Sequence, residues 1–276
     1  MEGFFTPEKM LIPGIIVATA CVAWTLEYRF PYQPKQRIFT RKAFWTDFLW
    51  YSIGFSLIMG WVINAAILAP IDQATGWSAR QTISAWPVWG QCLFFLVSHD
   101  LFIYCFHWLM HQNKYLWRIH ELHHSPEEID WPAGSRSHIL ETIIIQTVEF
   151  GPMIWLGAYL PIVLPFKALT GALWGTYIHS NINLNAGPLN YIINGPQMHR
   201  WHHSAVIGDQ MRNLGTKFAI WDWIFGTGHL PKGRKPVYGL DVQFSQSNIF
   251  LHQLLAFRPW QGDKERDITP EATEQA

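Results

Sequence analysis

The sequence predicts an all-α integral membrane protein with about four transmembrane helices, the last two forming a hairpin. Three observations predict it. Apolar residues make up 49% of the 276-residue chain and charged residues only 14%, against about a quarter charged in a typical soluble domain. Apolar runs near the roughly 20 residues needed to span a bilayer recur along the chain. The runs are separated by short loops whose positive charge is uneven.

The first run, about 10–26, follows an acidic rather than a basic start and is expected to be a retained span, not a cleaved signal. The second covers about 44–69. The third, about 88–110, is interrupted only by Gln91, Ser98, His99 and Asp100. Two arms follow, 142–160 and 162–178. Pro161, between them, and Pro165, early in the second, are expected to break a single helix into a hairpin. The polar stretch 262–276 reads as a disordered tail, so the whole of 1–276 is expected to be one membrane-embedded catalytic domain.

Sidedness follows from the loops. The segment 27–43 carries Arg29, Lys35, Arg37, Arg41 and Lys42, whereas 70–87 carries only Arg80. The positive-inside rule therefore puts the first loop in the cytoplasm. Counting spans brings the segments 107–111, 120–124, 138–141 and 179–203 to that same face. All are rich in histidine.

Twenty Lys and Arg balance twenty Asp and Glu, so no basic surface for nucleic acid is implied. Cys21, Cys92 and Cys105 fall in apolar runs without a C-x-x-C pair and read as buried, reduced thiols.

The histidines carry the chemistry. "HWLMH" at 107–111 spaces two by four residues; "RIHELHHSPEE" at 118–128 and "MHRWHHSA" at 198–205 each hold an H-x-x-H-H. On a helix, residues three or four apart share a face. Two of each triplet can then chelate one metal while the third reaches a neighbouring one. A lone H-x-x-x-H is as readily a structural pair, but two H-x-x-H-H motifs beside one favour metal. Eight imidazoles exceed the need of one zinc, so two metals fit better, and histidine count does not choose zinc from iron.

From Asp100 the chain reads "DLFIYCFHWLMHQNKYLWRIHELHHS", and from Met198 "MHRWHHSAVIGDQMRNLGTKFAIWDWIFGT". This text, with "YGL" at 238–240, resembles the fatty acid hydroxylase / sterol desaturase superfamily of integral-membrane di-iron enzymes, over about 95–240. The resemblance implies a cytosolic helical cap holding a dinuclear site, with His107, His111, His120, His123, His124, His199, His202 and His203 as ligands. It adds His138 and Glu141 of "RSHILE" as ligand or outer-shell candidates. It also adds His179, with Asn183 standing where relatives carry a further histidine and able to act through a water. His99, about 12 Å deeper along the same helix as His107, is expected to pair with Asp100 inside the bundle or to shape a substrate tunnel. His229 and His252 read as ordinary surface or interfacial histidines.

What the resemblance implies functionally is a membrane oxygenase using two iron ions and O2 to hydroxylate an unactivated C–H bond of a lipid. A desaturase with the same site is the alternative, and a metal transporter or haem electron carrier a remoter one. No G-x-G-x-x-G, P-loop or fused haem domain is evident. Electrons are therefore expected from a separate ferredoxin or cytochrome with its reductase. The expected location is a multi-pass membrane protein with its metals on the cytoplasmic face, in the inner membrane of a bacterium or the endoplasmic reticulum of a eukaryote.

Overall fold

A computed structural model describes residues 7–36, 39–232, 235–240 and 245–259. The expected tail at 262–276 lies outside them. The described chain is helical, and its only β features are three isolated bridges. We label the helices α1 (Pro7–Arg29), α2 (Thr46–Thr75), α3 (Val88–Gln112), α4 (Lys114–His124), α5 (Ile139–Trp155), α6 (Leu160–His179), α7 (Pro196–His202), α8 (Ile207–Gln210), α9 (Ile220–Phe225) and α10 (Ile249–Leu254). Helix α2 contains π-helical stretches over Thr46–Phe55 and Asn64–Leu68.

Among the described residues, α2 and α3 are long and apolar enough to cross a membrane. Each buries one stripe and shows apolar groups outward. On α2, Tyr51, Phe55, Met59 and Ile63 are buried against Ile143, Phe150 and Ile154 of α5, while Leu57 and Trp61 are 71% and 72% exposed. A water-facing surface would not be built that way. Exposed aromatics flank both ends of the pair: Trp77, Trp86 and Trp89 at one, Trp45 and Tyr115 at the other. This is where amphipathic rings sit at the two membrane interfaces. These are the features of a membrane protein.

The break between α5 and α6 falls earlier than expected. It lies at 156–159, where Gly157 takes a left-handed φ of 70°, a conformation that costs glycine little. A Cβ there would stand 2.8 Å from the Cα of Gln81. Pro161 instead sits in the first turn of α6, where a missing N–H leaves no helical bond unmade. The cysteines also differ from expectation. All three are free thiols, but Cys21 and Cys105 are exposed on outward helix faces, and Cys92 is half-buried at the edge of the cluster of Ile83, Phe95, Met153 and Val163.

The C-terminal ends of α3 and α6 and the N-terminal end of α5 meet at one end of the bundle. Helix α4 folds back across that end because Asn113 stops α3 in an extended conformation and caps α4, its side-chain oxygen accepting from the N–H groups of Tyr115 and Leu116. The basic segment after α1 is tied to the same end. Arg41 bridges Asp130 at 2.8 Å and Asp47 at 2.7 Å, and Gln36 donates to the carbonyl of Ile129. Asp47 also holds Arg136, itself fully buried, through Nε at 2.5 Å.

Asp47 therefore answers two buried guanidinium groups. Breaking a buried ion pair from one side costs about 3–5 kcal/mol. Asp47→Ala is expected to lower the melting temperature of the solubilised protein markedly, and Asp47→Asn, which keeps acceptor capacity, to lower it less.

Candidate metal centre

Nine histidine rings converge at the capped end. His107, His111, His120, His124 and His202 form one group and His123, His179, His199 and His203 another. Within each group one nitrogen from every ring lies within 4.8 Å of the others. The helical spacing explains the division. On α4, His120 and His124, a turn apart, point to the first group, while His123, on the other flank of that face, points to the second. At the end of α7 the assignment is reversed: His199 and His203 join the second group and His202 the first. The two helices thus interlock, each giving two rings to one group and one to the other.

The rings are held from behind. His107 Nδ1–H donates to the carbonyl of Leu214 at 2.7 Å, and His120 Nδ1–H to Glu141 Oε1 at 2.8 Å. In the second group, His123 Nδ1–H donates to the carbonyl of Arg136 at 3.1 Å and His179 Nδ1–H to that of Gly175 at 2.8 Å. His202 Nδ1–H donates to the carbonyl of Arg212 at 3.1 Å. Each such bond fixes a tautomer and leaves Nε2 with a lone pair directed inward.

The consequence is that acceptors face acceptors. His107 Nε2 lies 3.0 Å from His120 Nε2, and His123 Nε2 lies 3.3 Å from His179 Nε2. In both pairs the ring proton is already committed on the far side, so neither nitrogen donates to the other. Protonating one would relieve the conflict, but burial opposes it: His123 is pushed down to about 4 by burial and the neighbouring His120 ring. His124, His199, His202 and His203 lie well below the ordinary value, first from burial and then from one another. A cation between the rings resolves the arrangement. Two imidazole nitrogens bound at about 2.0–2.1 Å to one ion, at tetrahedral to octahedral angles, stand roughly 2.8–3.4 Å apart. The donor set therefore fits a pair of imidazole-loving metals.

Other sequence candidates are placed differently. His138 stands outside both groups: it caps α5, with Nδ1 accepting from the N–H of Leu140 and Nε2–H donating to the carbonyl of Gln253. Glu141 is the outer partner of His120. Asn183 is exposed, and its N–H donates to the carbonyl of Phe30. His99 and Asp100 are both buried but do not pair, because adjacent helical residues point about 100° apart. His99 turns to Lys167 and Glu149, and Asp100 accepts from Thr216, Lys217, Phe218 and Trp221. His252 is fully buried rather than interfacial, hydrogen-bonded to the hydroxyl of Tyr51 and the carbonyl of Ser245. His229 is half-buried beside Asp209.

Asp222 is a positioning residue that sequence reasoning quoted within "WDWIFGT" without giving it a role. Its carboxylate accepts from the N–H groups of Leu214 and Gly215 and the hydroxyl of Thr227. It thereby fixes the carbonyl that orients His107. Burial pushes its pKa up to about 6 against those bonds.

A cavity of about 310 Å³ opens beside the rings and runs between α3, α5 and α6. His107, His120, His123, His179 and His199 stand at one end; Ile103, Phe106, Ile145, Trp174 and Ile178 line its middle. It offers an elongated apolar volume ending at the nitrogen cluster.

Residues 92–227, which include all nine rings, match the family model for fatty acid hydroxylase. Similar proteins include the ornithine lipid hydroxylase OlsE of Rhizobium tropici, 37% identical over 53% of this chain and 44% of that protein. The alkylglycerol monooxygenase of Homo sapiens is 32% identical over 51% and 31%, and methylsterol monooxygenase 1 of Rattus norvegicus 34% identical over 50% and 46%. The matched part of the chain thus spans less than half the length of these relatives. No solved structure gives a significant match. Residues 92–227, with their paired histidine groups, therefore form a domain of the fatty acid hydroxylase family.

Proposed function

We propose that this protein is a membrane-bound di-iron oxygenase that hydroxylates an unactivated C–H bond of a lipid, using O2 and electrons from a separate ferredoxin or cytochrome with its reductase. The observation that carries the reading is the pair of buried groups in which Nε2 lone pairs face one another beside an apolar cavity. The names of the relatives, all lipid or sterol oxygenases, support it. The first group would hold one iron through His107, His111, His120, His124 and His202, and the second the other through His123, His179, His199 and His203.

Iron bound there supplies the activation of oxygen and the oxidation of the C–H bond. The chain's own residues do the rest. Ile103, Phe106, Ile145 and Ile178 take the lipid chain and exclude water from the reacting carbon. Glu141 and the carbonyls of Leu214, Arg136, Gly175 and Arg212 keep the rings in the neutral tautomer that ligates. The tie between the basic segment 27–43 and the histidine end, with the positive-inside rule, supports a cytoplasmic-face site in a multi-pass protein. There a soluble electron donor has access.

Elemental analysis of the purified full chain is expected to give two irons without a haem absorption band. Lipids from cells expressing it should carry an added oxygen atom that derives from O2. Loss of two hydrogens instead would identify a desaturase, and the absence of both changes would overturn the oxygenase reading. His202→Ala is expected to abolish turnover and lower bound iron while the protein remains in the membrane.

Two glycines separate metal from cavity. A Cβ on Gly134 would lie 2.1 Å from Cγ of His179, so Gly134→Ala should displace that ring and cut the metal content by about half. A Cβ on Gly175 meets nothing within 4 Å and points into the cavity. Gly175→Leu should leave both metals bound and reduce lipid turnover at least tenfold, since the larger side chain takes the substrate's volume.

A further inference from the structure

The end of the cavity away from the metals is polar, although it lies within the helical bundle. His99, Glu149 and Lys217 line it, and Gly171 keeps the approach to Glu149 open. Lys167 is fully buried behind them, with Nζ 3.1 Å from His99 Nδ1 and 3.2 Å from Glu149 Oε1. Lys217 faces Asp100 at 3.9 Å. Such groups are rare at membrane depth and mark a function when they face a cavity.

The proton positions follow from chemistry. An ammonium group only donates, so Lys167 Nζ gives hydrogen bonds to both Glu149 and His99 Nδ1. His99 Nδ1 is therefore the acceptor and the ring proton sits on Nε2. That Nε2–H is buried, on a side chain 7% exposed, and has no hydrogen-bond partner in the protein. An unmatched buried donor costs about 1–3 kcal/mol. The surrounding charges cancel, Lys167 and Lys217 against Glu149 and Asp100. What this end lacks is one neutral acceptor rather than a counter-ion.

We propose that the deep end of the cavity binds a neutral oxygen of the lipid substrate, a hydroxyl or carbonyl, through His99 Nε2–H. The inference rests on the reading that the cavity takes the lipid. His99 is eight residues before His107 on α3, so the anchor stands roughly 12 Å from the metal end. It measures off which carbon reaches the metals. His99 is a specificity-determining residue, and an unfunctionalised hydrocarbon is a poor ligand.

The test is binding to the full chain, loaded with iron, in detergent, with 1-hexadecanol and hexadecane as probes. Taking the ratio of wild-type to variant affinity for each probe cancels its partitioning into micelles. His99→Phe is expected to weaken hexadecanol about tenfold, the worth of one net hydrogen bond, and to leave hexadecane within about twofold. His99→Gln, which keeps a donor, should retain most of the preference. Equal loss for both probes, or no loss for hexadecanol, overturns the proposal.

If His99→Phe does not fold, 15N-histidine spectra of the wild type decide. Hexadecanol, and not hexadecane, should shift one imidazole N–H outside the nine clustered rings; no such shift overturns the anchor. Iron content and lipid oxidation are measured separately on the same preparation. Failure of the oxygenase reading with an intact alcohol preference is thus distinguished from the reverse.

Discussion

Imidazole nitrogens that face one another with their protons turned away are the constraint on which this structure depends. In water such rings would be solvated or protonated; here both escapes are closed. Burial holds His123, His124, His199, His202 and His203 neutral, and the carbonyl or carboxylate behind each of His107, His120, His123, His179 and His202 accepts that ring's Nδ1–H, so its one proton is committed on the far side. Cations bound between the lone pairs would convert the conflict into coordination. Without them, packing must hold the facing Nε2 atoms of His107 and His120, and of His123 and His179, against their own repulsion.

That packing is largely polar, and it acts at one remove from the metals. Asp222 gathers the 214–215 backbone and so aims the carbonyl behind His107. Asp100 gathers the backbone N–H groups of Lys217 and Phe218, just beyond that stretch, together with the Thr216 hydroxyl. Arg136 supplies its carbonyl to His123 while its guanidinium is locked by Asp47, Ser125 and Gln246. Glu27, at the end of α1, accepts from the N–H groups of Trp131 and Asn181, on either side of the site. Buried polar networks of this kind specify one arrangement when satisfied throughout, and a site needing ligands within a few tenths of an ångström requires one arrangement.

The histidine clusters were legible because helical spacing is visible in a sequence. H-x-x-x-H and H-x-x-H-H state which rings share a face, and eight of the nine clustered rings come from those motifs. His179 stands alone in sequence and entered only through the resemblance to known relatives. Which of a triplet serves which group was not legible, since it depends on how α4 and α7 cross. The outer partners were least visible. Backbone carbonyls carry no residue signature, and Asp222 looks in sequence like any aspartate in a short aromatic helix. His138 entered only through the resemblance, and in the fold it ends a loop and caps a helix outside both groups. His252 misled in the other direction, because a histidine without a neighbour at ligand spacing can still be buried when Tyr51 and the Ser245 carbonyl satisfy both its nitrogens.

The same polar framework shapes the cavity as well as the metal site. Helix α3 carries metal-facing His107 and, two turns deeper, His99, so one rigid element spans both ends of the cavity at a spacing that side-chain motion does not alter. Asp100, next to His99, anchors the segment that carries Thr216 and Lys217 to the deep wall. Leu214, two residues earlier, orients His107 at the other end. The orientation of His107 and the length of the cavity are therefore set by one short stretch of backbone bonded to one helix. Substitutions at Asp100 act on both at once, whereas substitutions at His99 leave the segment in place. On the proposed reading, a lipid enclosed between these fixed ends would meet the histidine groups at a carbon defined by the protein's own helical rise.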